Sequence, residues 1–80
     1  MNLVKGATRQ MYRLKLISPD FGIDDRGPLH PSREQARRAA EWMLAAYKGR
    51  VKVEIHRVVD LRINKTEKLE ELRLLEEGAG

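Results

Sequence analysis

The stretch that decides the fold spans residues 30–50 and reads HPSREQARRAAEWMLAAYKGR. Ser32 is a favourable N-cap, and Gln35 three residues later completes a capping box in front of a run of strong helix formers. Gly49 supplies a stop signal at the other end. The sequence therefore predicts one long helix over residues 32–48.

One face of this helix is apolar, but most of its residues are alanines. At about 100° per residue, the face is predicted to collect Ala36, Ala39, Ala40, Met43, Ala46 and Tyr47, with Leu44 at its margin. Small side chains let a helix lie close to a sheet. The large side chains of the core must then come from the strands that the helix covers.

Two stretches alternate between apolar and polar residues, as strands with one buried face do. They are residues 11–17 and residues 51–63. The alternation in the second stretch is interrupted at Arg57, which predicts one unusually long strand, or two strands joined by a bulge near residues 56–58. A long strand in a small sheet leaves an unpaired edge, which favours pairing with a second copy.

The polar side chains of both strands are predicted to form the second face of the sheet. We expect this face to be exposed to water or to lie on phosphates. Its members are Arg13, Lys15, Lys52, Glu54, His56 and Arg62.

Two further segments carry local signals. Residues 18–31 read SPDFGIDDRGPLHP, with three prolines and two glycines, and cannot form one regular element. A type I turn at residues 24–27 predicts a short hairpin that pairs residues 21–23 with residues 29–30. After residue 63, Asn64 and Glu67 have the spacing of a second helix start, and an apolar stripe follows. That stripe comprises Leu69, Leu72, Leu74 and Leu75.

Together these patterns predict an α+β fold. A small, mainly antiparallel sheet is covered by one long helix, and a C-terminal helix packs on the sheet or mediates dimerisation through Leu69, Leu72 and Leu75. Eighty residues are expected to form a single small domain. Residues 1–10 are expected to form a flexible N-terminal arm, and residues 78–80 a disordered C-terminus.

Composition restricts the compartment and the partners. The absence of cysteine excludes disulfides and thiolate metal sites, and with no signal peptide or membrane-spanning stretch we expect a cytoplasmic protein. The net charge is +4, but bases dominate residues 1–65 and acids dominate residues 66–80. A basic body favours polyanions, whereas its acidic tail is expected to repel them or to dock on a second copy.

Catalytic constellations are poorly represented. His30 and His56 belong to no recognised spacing, and the serines at 18 and 32 are explained as turn and cap residues. Three aspartates share a loop with His30, but turn capping explains them better than a metal site does. We therefore expect a protein that is not an enzyme and that has no cofactor, no metal and no small-molecule substrate.

The basic helix carries the functional hypotheses. Its pairs Glu34–Arg38 and Arg37–Glu41 stabilise an isolated helix without any ligand. The first hypothesis is a nucleic-acid-binding module, with phosphate contacts from the helix and from neighbouring strand lysines. The proposed binding residues are Arg33, Arg37, Arg38, Trp42, Lys48, Arg50, Lys15 and Lys52.

Two alternatives stay open. The first is a protein-interaction or inhibitor module, such as a phage-like or accessory protein, that docks on a larger acidic protein through Trp42 and the adjacent arginines. In the second, the chain is a homodimer whose only partner is itself. Trp42 itself either contacts a ligand or covers the edge of the core.

Overall fold

The computed structural model describes residues 10–73, which form one antiparallel sheet with a helix on one face. The α+β prediction is thereby confirmed for this part of the chain. Within it, no helix has the length and apolar composition needed to cross a membrane. In chain order the elements are β1 (Tyr12–Ser18), β2 (Gly22–Asp24), β3 (Leu29–His30), α1 (Arg33–Ala46), β4 (Lys52–Asp60), a 3₁₀ turn (Leu61–Ile63) and β5 (Lys65–Leu72).

The sheet has the order β2-β1-β4-β5, and β3 also pairs with β1. The predicted hairpin between residues 21–23 and 29–30 is therefore wrong, because β2 and β3 both pair with β1 on the side away from β4. The returning chain leaves β1 between Asp24 and Leu29. Pro28 lies in this gap and has no N–H to contribute to a strand ladder.

Local signals place the ends of α1 almost where the sequence predicts them. The Gln35 N–H donates to the Ser32 hydroxyl at 3.1 Å, as in a capping box. At the other end the Gly49 N–H donates to the Leu44 carbonyl at 2.9 Å, and Gly49 has φ 76°. Glycine tolerates this left-handed conformation at the end of a helix.

The core lies between α1, β1 and β4. Ala36 and Ala40 are fully buried, and the largest fully buried side chains are Val53 and Ile55, as the alanine-rich face predicts. The predicted centre of that face is wrong. Leu44 is buried with the two alanines, since these three residues form one i, i+4 row on the sheet, whereas Ala46 and Tyr47 are exposed.

The segment predicted as a second helix is the strand β5. Asn64 adopts the left-handed conformation, φ 52°, and turns the chain back along β4. Pairing with β4 outweighs the helix propensity of this Glu-, Lys- and Leu-rich segment. Leu72 lies opposite Val53 and packs against the core, whereas Leu74 and Leu75 lie outside the described residues.

The second alternating stretch forms one long strand that ends at Asp60. Its pairing with β5 shifts between Ile55 and His56 and again between Val58 and Asp60, on either side of the predicted bulge. Residues 61–63 belong to the 3₁₀ turn and not to a strand. Most of the predicted N-terminal arm, residues 1–9, and the predicted disordered C-terminus lie outside the described residues.

The N-cap of α1 gives a first prediction. Ser32→Ala removes the acceptor of the Gln35 N–H and should lower the free energy of unfolding by about 1 kcal/mol, as measured by urea denaturation. Ser32→Asp keeps an acceptor at the N-cap and should stay near the wild type. Equal stability of the alanine variant and the wild type would show that this cap is energetically unimportant.

Candidate interaction surface

Two arginines of α1 share one carboxylate of β5, an arrangement called here the arginine clamp. Arg33 Nε lies 2.8 Å from Glu70 Oε2, and Arg37 Nη1 lies 2.8 Å from Glu70 Oε1. Glu70 is opposite Ile55 on β4 and therefore lies on the face that α1 covers. The clamp joins the helix to the outer strand of the sheet.

Other predicted binding residues also have carboxylate partners within residues 10–73. Arg50 makes two contacts with the Asp20 carboxylate through its Nη2, at 2.9 and 3.2 Å. Arg38 lies 3.8 Å from Glu34, a predicted helix pair. The predicted pair of Arg37 and Glu41 is also present, at 3.6 Å.

The structure separates the predicted strand lysines from the helix. Lys15 and Lys52 alternate with residues that face α1, so both lie on the opposite face of the sheet. Lys52 there lies 3.9 Å from Glu54 and 3.8 Å from Glu71. Lys48 is exposed just after the helix, with φ 55°. The eight predicted residues therefore do not form one continuous basic surface.

The face opposite α1 is not the open surface that the alternation predicts. Glu54 and His56 are buried, with only 8% and 6% of their surface exposed. His56 Nε2 lies 2.8 Å from Glu54 Oε1, and Thr66 Oγ1 lies 2.9 Å from His56 Nδ1. These three side chains, called here the polar relay, satisfy one another in place of water.

The turn between β4 and β5 folds over this face and helps to close it. Arg13 Nη1 donates to Asn64 Oδ1 at 2.8 Å, and Asn64 Nδ2 donates to Asp25 Oδ2 at 3.3 Å. The space left beside the relay is about 10 Å³, at the lower limit of what holds a single water molecule. A carboxylate, an imidazole and a hydroxyl in series also occur in nucleophilic catalysis; here they join the neighbouring strands β4 and β5.

Neighbouring lysines and arginines keep the carboxylates of this face ionised. Burial raises the pKa of Glu54, but hydrogen bonds from His56 and Lys68 outweigh it, and the pKa lies below its ordinary value. Hydrogen bonds from Lys68 and Arg73 lower the pKa of Glu71 to about 2. Glu71 also raises the pKa of Lys68, with a smaller contribution from Glu54.

Trp42 is exposed on the outer side of α1, with 68% of its surface accessible. It therefore does not cover the edge of the core. Residues three and four positions apart are neighbours on a helix, so Ala39 and Ala46 flank the indole on one side, and Arg38 and Ala45 flank it on the other. Ala46 is exposed and Ala39 is half-buried. Trp42, Ala39 and Ala46 are called here the Trp42 patch.

A cleft beside the Trp42 patch, called here the helix groove, has a volume of about 220 Å³. Its walls include Leu14 and Leu16 of β1, Gly27 and Pro28 of the loop, and Ala39 and Met43 of α1. The cleft exists because the chain leaves β1 between β2 and β3. Sequence patterns did not indicate the groove, since within residues 18–31 they predicted only turns and a short hairpin.

The helix groove continues into a shallow depression at its end, which is lined by both apolar and charged residues. Tyr47 borders both, and the Phe21 ring lies 5.9 Å from the Tyr47 ring, centroid to centroid. Ile23 is 63% exposed in this depression. The sequence signal for this surface was the pair of apolar residues Phe21 and Ile23, which flank Gly22.

The loop aspartates are distributed over different partners. Asp20 binds Arg50, and Asp25 accepts a hydrogen bond from Asn64. Within residues 10–73, no three histidine, aspartate or glutamate side chains are grouped so that they could hold a metal ion.

The arginine clamp gives a second prediction. Glu70→Gln removes the charge that both arginines share and should lower the free energy of unfolding by about 1 kcal/mol. Glu41→Gln is the matched control, because Glu41 makes one longer contact to Arg37, 3.6 Å, on the helix surface. The control should change stability by less than about 0.5 kcal/mol. Equal effects of the two changes in urea denaturation would contradict the clamp.

The lowered carboxylate pKa values give a third prediction. Glu71 binds a proton at a lower pH in the folded chain than its ordinary pKa of 4.5 implies, so the unfolded chain binds more protons as pH falls from 4.5 towards 2. The free energy of unfolding should therefore decrease over this range, and Glu54 should add to the decrease. It should decrease less steeply in Lys68→Gln, because Lys68 lowers the pKa of both carboxyls.

Lys65→Gln is the control for this measurement, since Lys65 is exposed on the same strand and lowers neither pKa. Unfolding should be followed at several pH values for the three proteins. The same slope in Lys68→Gln and in the wild type would contradict the role of Lys68.

The candidate surface thus consists of the Trp42 patch and the adjoining helix groove, both built on α1. Its function has to be argued from this chemistry. No protein-family model matches the chain, and no curated protein and no solved structure matches it either.

Proposed function

We propose that this chain is a small protein-binding module that docks on a larger protein through the outer face of α1, with Trp42 as the anchor. The observation that carries the proposal is the 68% exposure of Trp42 between two small residues. Exposing a large aromatic side chain to water is unfavourable in the free protein. Covering this side chain with the surface of a partner is favourable.

The shape of the Trp42 patch supports a protein partner. Alanines at positions 39 and 46 place little side-chain volume beside the exposed indole, so another main chain can approach it closely. Charged side chains border the patch, with Arg38 and Glu34 paired on the solvent side. An apolar centre inside a polar rim is the usual organisation of protein interfaces.

The ion pairs of α1 weigh against nucleic acid as the first choice. Arg33 and Arg37 already bind Glu70 at 2.8 Å, and Arg50 binds Asp20. A phosphate group would have to displace these carboxylates before it could bind the arginines. The gain from counterion release would then be reduced by the lost pairs.

Nucleic acid is nevertheless the second candidate, because a different observation favours it. Arg38 stands one helical turn from the exposed indole, and Lys48 is exposed beyond the helix end. A base stacked on Trp42 would place its phosphates near these two cations. Bases also outnumber acids within residues 10–73.

Dimerisation through Leu69, Leu72 and Leu75 stays a prediction. Leu72 packs against the core of its own chain, and Leu69 is half-buried where the pairing of β5 shifts. Leu75 lies outside the described residues. A dimer that used the edge of β5 would leave the Trp42 patch available, since the patch is on α1.

A random peptide library displayed on phage tests the proposal directly. Peptides selected on the wild type should bind Trp42→Ala at least about 30-fold more weakly, which corresponds to the loss of a hot-spot residue of about 2 kcal/mol. Ile63→Ala is the matched control, because Ile63 is exposed to the same extent, 69%, but lies in the 3₁₀ turn. The control should bind as the wild type does.

Two results would overturn the proposal. One is a library from which no peptide binds the wild type, and the other is a set of peptides that bind Trp42→Ala equally well. Unfolding curves of the variants check that a loss of binding is not a loss of fold.

Titration of Trp42 fluorescence with a single-stranded and a double-stranded oligonucleotide distinguishes the second candidate. Under the protein-binding proposal we expect no saturable change in about 50 mM salt. A saturable change that weakens strongly in about 200 mM salt and is lost in Arg38→Glu would favour nucleic acid instead.

A further inference from the structure

We infer that the helix groove is a binding site for one large apolar side chain of a partner peptide that carries a lysine or arginine next to it. The inference rests on the proposed protein-binding function and specifies the chemistry of the partner. It also accounts for the groove itself, which the Trp42 patch alone leaves without a role.

The groove has the size of one side chain. Its volume of about 220 Å³ exceeds the roughly 150 Å³ in which an apolar cavity holds benzene. The leucines of β1 form its floor, and Ala39 and Met43 form the helix wall. Methionine adapts its shape to different occupants, as it does in other peptide-binding surfaces.

A break in the sheet edge opens the groove and fixes its position. Register pairs β2 with residues 16–18 of β1 and β3 with residues 12–13, and leaves the stretch between them without a partner on that side. Gly27 and Pro28 bring the loop past this gap with little side-chain volume. Leu14 lies in this gap and Leu16, opposite Asp24, borders it, and both line the cleft.

Asp24 supplies the charge that selects the neighbouring residue. It is the one carboxylate among the described residues that line the groove, which His30 also lines, and it makes no salt bridge within residues 10–73. One of its oxygens accepts from the Arg26 N–H at 3.2 Å, which leaves the other for an incoming cation. Asp24 also lines the depression beyond Tyr47 together with Arg26, whereas Arg26 is not among the groove residues.

The groove and the Trp42 patch form one surface. Ala39 belongs to both, and Met43 is a helical neighbour of Ala39 and of Ala46. A peptide that covers the indole thus reaches the groove within a few residues. The same partner can engage the aromatic anchor outside and place its own apolar side chain inside.

Blocked dipeptides are suitable probes, because they carry one anchor and one charge. Acetyl-Phe-Lys-amide is added to ¹⁵N-labelled protein, and amide shifts are followed by NMR up to about 20 mM, a range that detects weak affinities. Saturable shifts are expected at Gly27, Ala39 and Met43. Acetyl-Phe-Glu-amide should bind about fivefold more weakly in the wild type, and the difference should disappear in Asp24→Asn.

Gly27→Leu tests the location of the site. A Cβ at this position meets no atom within 4 Å, and Gly27 is not among the residues with positive φ, so the substitution should be tolerated. The leucine should fill the groove and abolish the shifts, whereas Gly27→Ala should keep them. Binding that survives in Gly27→Leu, or equal binding of the two dipeptides to the wild type, would overturn the inference.

Trp42→Ala separates this inference from the proposed function. Trp42 is not among the groove residues, so the variant should bind acetyl-Phe-Lys-amide as the wild type does. If the dipeptide binds but no library peptide depends on Trp42, the inference about the groove is supported and the docking proposal is overturned. If library peptides depend on Trp42 but the dipeptide does not bind, only the inference about the groove is overturned.

Discussion

The carboxylates of β5 hold this small structure together. Glu70 binds two arginines of α1, Glu67 binds Arg57 across the strand pair, and Glu71 lies among several bases of the opposite sheet face. A chain with so little core has few other means to attach its last strand and its helix to each other. The acidic segment thus neutralises the basic body within the same chain, where the charge distribution had suggested repulsion or a second copy.

Because of this pairing, the arginines of α1 are less available to an external polyanion. Several of the cations that mark a polyanion-binding helix are engaged with carboxylates of the same chain, and the strand lysines lie on the far side of the sheet. Trp42 is exposed on the same helix, and its neighbours on the side towards the groove are apolar and not charged. Protein binding therefore explains more of the observed surface than phosphate binding does.

On the other face of the sheet, the polar relay satisfies buried polar side chains by hydrogen bonds within the chain. Glu54 and His56 are buried, yet each has a partner, and the turn at Asn64 covers them. Such a network is favourable only when all its members are satisfied, and it ties β4 to β5. The hydrogen bond between Arg13 and Asn64 ties the turn of this strand pair to β1.

The sequence by itself determined the parts of the protein that depend on neighbours along the chain. The N-cap Ser32, whose hydroxyl accepts from the Gln35 N–H, and the stop at Gly49 set the ends of α1. Alternation set the first strand and most of the second, because side chains on a strand point to opposite faces in turn. The position of Trp42 on the helix left both a ligand contact and a role at the edge of the core open.

Only the tertiary structure decided what residues 65–72 become. Their Leu, Glu and Lys content favours a helix locally, but the free edge of β4 offers backbone hydrogen bonds, and bases on α1 and β4 offer partners for the carboxylates. The helix groove and the pairing of each arginine also depend on contacts between residues far apart in the chain. No local pattern contains that information, because each local segment is compatible with more than one set of distant partners.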